Sequence, residues 1–135
     1  MSVLIADIGG TSSRWASVDG SGVVLLPGFN PAVGDPAALQ GALHDQAFPQ
    51  VDEVIVYGAG CGGEERKSRM LEALRPTWPA SRITVENDLL GSARGLYGKE
   101  AGLVLILGTG MNAGHYDGRD LRTPMPSLGY VLGDE

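Results

Sequence analysis

Two apolar strand patterns each run directly into a glycine loop: VLIADI into GGT near the start of the chain, and LVLIL into GTG a hundred residues later. An uninterrupted apolar run wants burial within a sheet. Glycines at its end allow a tight turn and leave backbone amides accessible. The chain therefore has to build its sheet so that loops made of backbone stand at strand ends. The 21 glycines cluster in DIGGT, YGAGCGG, LGTGMNAG and LGYVLGD. Average usage of about 7% would supply roughly half that number.

The remaining elements follow from local chemistry. After the strand at 3–8, RWASVD and VVLLPG are separated by DGSG, a hairpin turn sequence, giving an antiparallel N-terminal meander. DPAALQGALHDQAF opens with Asp35 as N-cap and Pro36 at the first helical position. VDEVIVYGAG is a β-branched strand, and EERKSRMLEALRP is an amphipathic helix that Pro76 ends. RITVEN predicts a strand, DLLGSARGLYG a helix, AGLVLILGTG a buried strand, and MNAGHYDGRDL a hairpin turning at DGRD. The order β-β-β-α-β-α-β-α-β-β predicts an α/β domain with a mixed sheet. Its first three strands are antiparallel, and its later strands enter through helical crossovers.

Length and composition narrow the function classes. A chain of 135 residues, 43% hydrophobic and 19% charged, predicts one folded domain rather than a disordered segment. A net charge of -6 argues against a nucleic-acid or anionic-membrane partner, because both select a basic face. Any bound phosphate must then be held by backbone amides or through a metal. The lone Cys61 excludes an intrachain disulfide. With no signal or spanning segment in the pattern, a cytoplasmic location is expected.

Three segments carry possible chemistry. In ADIGGTSS, the strand delivers Asp7 to its C-terminal end, while Gly9, Gly10 and Thr11 offer amides and a hydroxyl to a terminal phosphate. Asp7 can hold Mg²⁺ through water. The alternative is an ordinary hairpin turn. Gly108, Thr109 and Gly110 repeat the design, and two such loops favour a phosphate ligand bracketed from two sides. Asp88 lies where a strand becomes a helix. A carboxylate there can take a proton from an attacking alcohol, although the local sequence favours Asn87 or Asp88 as a plain N-cap. His44 and His115 lack a nucleophile partner, Cys61 reads as a small buried residue, and Trp15 and Trp78 read as core.

DIGGTSSRW, GFNP, VENDLLGSARGL, LILGTGMNAGHYDG and LGYVLGDE, in this order, resemble the N-acetylglucosamine kinase branch of the BadF/BadG/BcrA/BcrD-type ATPases. Those belong to the acetate/sugar kinase, hsc70 and actin superfamily. The resemblance implies a ribonuclease H-like (actin-like ATPase) lobe, with helices on both faces of the sheet. It further implies ATP and Mg²⁺ as cofactors, with Asp7, Gly9, Gly10, Thr11, Gly108, Thr109 and Gly110 around the phosphates and Asp7 near the metal. Asp88 matches the family's catalytic base, and Asn30, Asn112 and Asp134 match its amino-sugar contacts. The expected substrate is a small-molecule sugar.

Family members continue past the final Gly-Asp-Glu into a second lobe. Residues 1–135 are accordingly expected to be the N-terminal lobe, with the C-terminal lobe absent, self-association as a dimer through the surface that lobe would cover, and little activity alone. Two alternatives are compatible with the same pattern: an activator-type ATPase of an acyl-CoA dehydratase or reductase, which would need cysteines for an iron-sulfur cluster, and a non-catalytic sugar- or nucleotide-binding module.

Overall fold

The computed structural model describes residues 1–107 and 111–122. The expected sites Gly108, Thr109, Gly110 and Asp134 lie outside them. The elements are β1 (Val3–Ile8), β2 (Ser12–Ser17), β3 (Val23–Pro27), α1 (Pro36–Gln46), β4 (Glu53–Gly58), α2 (Glu64–Leu74), β5 (Arg82–Asn87), α3 (Asp88–Tyr97), β6 (Gly102–Leu107), β7 (Met111–Tyr116) and β8 (Leu121–Arg122). The chain divides into two compact units, the first spanning Met1–Glu86 and the second beginning at Asn87.

The first unit is a five-stranded sheet in the order β3-β2-β1-β4-β5. The expected meander is present: β1 pairs antiparallel with β2, and β2 with β3. β4 then returns parallel to β1, with Leu4 opposite Val54 and Ile8 opposite Gly58. Parallel pairing places the ends of both strands, and the glycines that follow them, at one edge of the sheet. α1 begins as its sequence requires. The Asp35 side chain accepts a hydrogen bond from the Ala37 amide at 2.9 Å, and Pro36 occupies the first turn, where no amide is needed. Ala47, in the left-handed conformation, ends the helix by donating to the Leu43 and His44 carbonyls.

Burial alternates along the strands. Leu4, Ala6, Ile8, Trp15, Val54 and Val56 form one core with Leu39 and Leu43 of α1 and Met70 and Leu74 of α2. Their neighbours Ile5, Asp7 and Arg14 are exposed. The two tryptophans read as core are both fully buried, stacked with ring centroids 5.7 Å apart, and Phe48 closes the cluster at 5.6 Å from Trp15. Their polar edges are satisfied, since Trp15 Nε1 donates to Ser13 Oγ at 2.8 Å and Trp78 Nε1 to the Pro49 carbonyl at 3.3 Å. Ser13 in turn donates to the Pro27 carbonyl at 2.8 Å. Cys61 is buried, as its apolar surroundings predict.

The second unit departs from the expected single sheet. β6, β7 and β8 do not enter the first sheet but form an antiparallel one of their own, in the order β6-β7-β8. The expectation of a fully buried strand is also corrected: Val104 is buried against α3, whereas Leu103 and Leu105, which alternate with it, are 75% and 54% exposed, because an uninterrupted apolar run does not show that only one of its faces will be covered. Here β6 hydrogen-bonds to the hairpin strand that follows it. Val104 and Tyr116 on one face pack with Leu89 and Ala93 of α3. The Tyr116 hydroxyl lies 2.6 Å from the Gly98 carbonyl and 2.9 Å from that of Gly118. The DGRD turn forms as expected, with the Asp117 carboxylate accepting from the amides of Arg119 and Asp120.

At the chain's start, the Ser2 amide and hydroxyl both donate to Asp52 at 2.7 and 2.9 Å, which holds the Asp52 carboxyl below its ordinary value of 3.8. A depressed folded value stabilises the fold above pH 3.8, and that contribution is lost as pH falls through the folded value. Asp52→Asn should therefore flatten part of the acid loss of thermal stability below that pH, as read from melting curves in an acid series. Trp78→Ala should cost about 3–5 kcal/mol in urea unfolding, because it removes a buried ring from a three-ring cluster.

Candidate functional site

β1 carries Asp7 one residue before its end, on the sheet face opposite the core. Its cross-strand neighbours are Arg14 on β2 and Tyr57 on β4. Among the described residues Asp7 makes no ion pair, and its exposed carboxylate is available to a ligand or hydrated cation. The chain then turns through Gly9–Ser12, closed by the Gly9 amide donating to the Ser12 carbonyl at 2.9 Å. Gly10 and Thr11 are exposed at the tip.

This turn is fixed from outside by the segment leaving β3. The Phe29 amide donates to the Gly9 carbonyl at 2.9 Å, and the Gly28 amide to the Thr11 carbonyl at 3.1 Å. The approach is so close that a Cβ on Gly28 would fall 2.2 Å from the Gly9 carbonyl oxygen and 2.6 Å from the Ser12 nitrogen. Gly28 is thus required for packing, whereas a Cβ on Gly10 would meet nothing within 4 Å. The sequence GFNP shows no role for Gly28. The only local signal was a glycine directly after a strand.

Asn30 follows in the same loop. Its Oδ1 accepts from the Ala32 amide at 2.9 Å, its carbonyl accepts from the Gly34 amide at 2.6 Å, and Phe29 beside it is buried. The Asn30 amide group remains exposed beside the glycine turn. Arg69 of α2 anchors this loop by donating to the Pro31 and Ala32 carbonyls, both at 3.3 Å, while pairing with Glu65 at 2.8 Å. The pair with Glu65 is the i,i+4 contact that helix spacing allows, and the long-range anchor is what the sequence did not reveal. At the end of β4, the Ala59 amide donates to the Ile8 carbonyl at 2.9 Å, and Cys61 tucks under Gly58.

The second unit holds the other described candidates. Asn87 is the N-cap of α3, its Oδ1 accepting from the Leu89 amide at 2.8 Å. Of the two cap readings Asn87 takes the role, which leaves the Asp88 carboxylate in the first turn rather than at the cap. Asn112 lies on β7 opposite Ile106. His44 and His115 are both exposed.

No family model matches the chain, and no curated protein does. Solved structures do. Two bacterial proteins, each described as a "putative N-acetylglucosamine kinase", superpose on it. The protein from Porphyromonas gingivalis has a TM-score of 0.80 and 35% identity, covering 98% of this chain and 50% of its own. That from Chromobacterium violaceum has a TM-score of 0.63 and 19% identity, with coverages of 99% and 51%. The chain has a sugar-kinase lobe fold, of the actin-like ATPase kind. A glucokinase from Balamuthia mandrillaris, solved in complex with glucose, shares this fold at a TM-score of 0.57 and 15% identity, covering 95% of the chain and 49% of its own. The chain spans about half the length of these structures.

Within this fold, the glycine turn depends on Gly28 for its shape. Gly28→Ala should destabilise the chain by about 1–3 kcal/mol through overpacking, while Gly10→Ala should change it little. Parallel urea titrations of the two variants measure the contrast.

Proposed function

We propose that this chain is the N-terminal part of an ATP-dependent sugar kinase acting on N-acetylglucosamine or a related amino sugar. The observation that carries the reading is the Asp7 strand running into a glycine turn. That turn is locked by Gly28 and has the Asn30 loop beside it, in a chain 35% identical to a protein described as an N-acetylglucosamine kinase. In this reading the exposed Gly10 and Thr11 contact ATP phosphates, with Gly9 shaping the turn. Gly108, Thr109 and Gly110 form the companion loop.

Asp7 fits a hydrated magnesium ion. Mg²⁺ keeps several waters and takes one or two carboxylates together with substrate phosphates. Asp7 would hold the ion together with the nucleotide phosphates. When bound, it supplies neutralisation of developing phosphate charge.

Asp88, in the first turn of α3 that Asn87 caps, is the proposed general base, removing the proton from the attacking sugar hydroxyl. Asn30, Asn112 and Asp134 are the proposed sugar contacts. An asparagine amide both donates and accepts, which suits a ring of hydroxyls and an acetamido group. A second lobe would exclude water from the transfer, and the isolated chain is then nearly inactive. A cytoplasmic location and self-association through the surface of that lobe belong to the same proposal. Among the described residues no helix is long and apolar enough to cross a membrane. The activator-type reading has less support, because Cys61 is buried and has no second cysteine to accompany it.

A coupled ADP-release assay of the two-lobe protein across hexoses and amino sugars tests the proposal. An amino sugar should stimulate ADP release, and Asp88→Asn should lower kcat by about 10²–10⁴-fold with a much smaller change in KM. Release that no sugar stimulates, or a rate unchanged in Asp88→Asn, contradicts it.

A further inference from the structure

At the opposite end of the first sheet from the glycine turn lies a cavity of about 340 Å³, between the β2–β3 hairpin and the end of α1. Leu4 lines it, and Ile8 leads into the glycine turn, so the two places are separated by roughly 13 Å of strand. The volume falls in the range of small-molecule sites.

Its wall is aromatic and apolar. Phe48, half-buried, stands on Trp15 and Trp78 of the core cluster, and Val51 and Pro49 continue the surface. Its rim is acidic and rich in oxygen. Asp19 lies between Ser17 and Ser21 on the hairpin, accepting from the Ser21 amide at 2.9 Å. Hydrogen bonds from the Ser21 hydroxyl and amide, with a smaller one from Ser17, hold the Asp19 carboxyl below its ordinary value. The third contribution is the helix end. Ala47 terminates α1 at the cavity and occupies only the Leu43 and His44 carbonyls, so the negative pole of the helix faces this side. Among the described residues no lysine, arginine or histidine lines the cavity.

A carboxylate, a helix C-terminus and an aromatic wall all favour positive charge, and none of them favours an anion. We propose that this cavity binds a small organic ammonium ion, with its cationic head at Asp19 and its apolar substituents against Phe48. The site is separate from the glycine turn and stands whether or not the chain is a kinase. It takes its selectivity from charge and not from apolar bulk alone.

The test uses choline and its uncharged carbon analogue 3,3-dimethylbutan-1-ol, titrated into the isotope-labelled 135-residue chain. Choline should shift the amide resonances of Ser21, Gly22, Val24, Ala47 and Val51 saturably. The neutral analogue and Asp19→Asn should each weaken binding about tenfold, and Phe48→Leu should do so with the fold kept, as shown by an otherwise unchanged spectrum. No saturable shift up to tens of millimolar choline overturns the proposal, since such a Kd leaves little binding free energy. Equal binding of the neutral analogue, or an Asp19→Asn variant that binds as well as the parent, overturns it too.

Discussion

The close backbone approach of Gly28 to the Gly9–Ser12 turn is the constraint on which the proposed site depends. Two amides from one segment, those of Gly28 and Phe29, hold the Thr11 and Gly9 carbonyls. With its carbonyls engaged, the turn leaves its tip to solvent. Two hydrogen bonds of ordinary strength contribute about 1 kcal/mol each. Their larger effect is geometric, because a phosphate cradle made of backbone must be rigid before its ligand arrives. The same segment continues into Asn30, so one contact positions both the proposed phosphate loop and the proposed sugar loop.

Stability comes from elsewhere. The face of the first sheet that carries Leu4, Ala6, Ile8 and Trp15 is covered by α1 and α2, and the three-ring cluster at its centre has every ring nitrogen satisfied. Among the described residues no buried side-chain nitrogen or oxygen lacks a partner. The alternate face is where Asp7 and Arg14 stand exposed. Alternation along β1 thus separates the residues that hold the fold from the residue proposed to work on a ligand, at adjacent positions of one strand. A one-residue slip in register would bury Asp7 and expose Ile8.

Local chemistry was legible. Asp35 and Pro36 announced the start of α1, and the change from RITVEN to DLLGSARGLY marked the boundary between β5 and α3, because caps, proline and periodicity act over a few residues. Asp7 near the end of β1 and the turn after it were legible for the same reason, although β1 is buried on one face only. Contacts between distant segments were not. Gly28 looks like any glycine after a strand until Gly9 lies against it, and Arg69 looks like one more charge on a solvated helix until its guanidinium reaches the Pro31 and Ala32 carbonyls. The separate sheet of β6, β7 and β8 was hidden likewise, since the apolar run LVLIL gives no sign that Val104 will be buried while Leu103 and Leu105 stay exposed.

The central claim is that the turn after β1 is a nucleotide phosphate site built from backbone. Amide chemical-shift mapping of the chain with magnesium ADP at millimolar concentration tests it most directly. The account predicts the largest changes at Gly9, Gly10, Thr11 and Ser12, with smaller ones at Gly28 and Phe29, whose amides bond to that turn. Amides there that stay unmoved while others respond, or a spectrum that does not change at all, would contradict it.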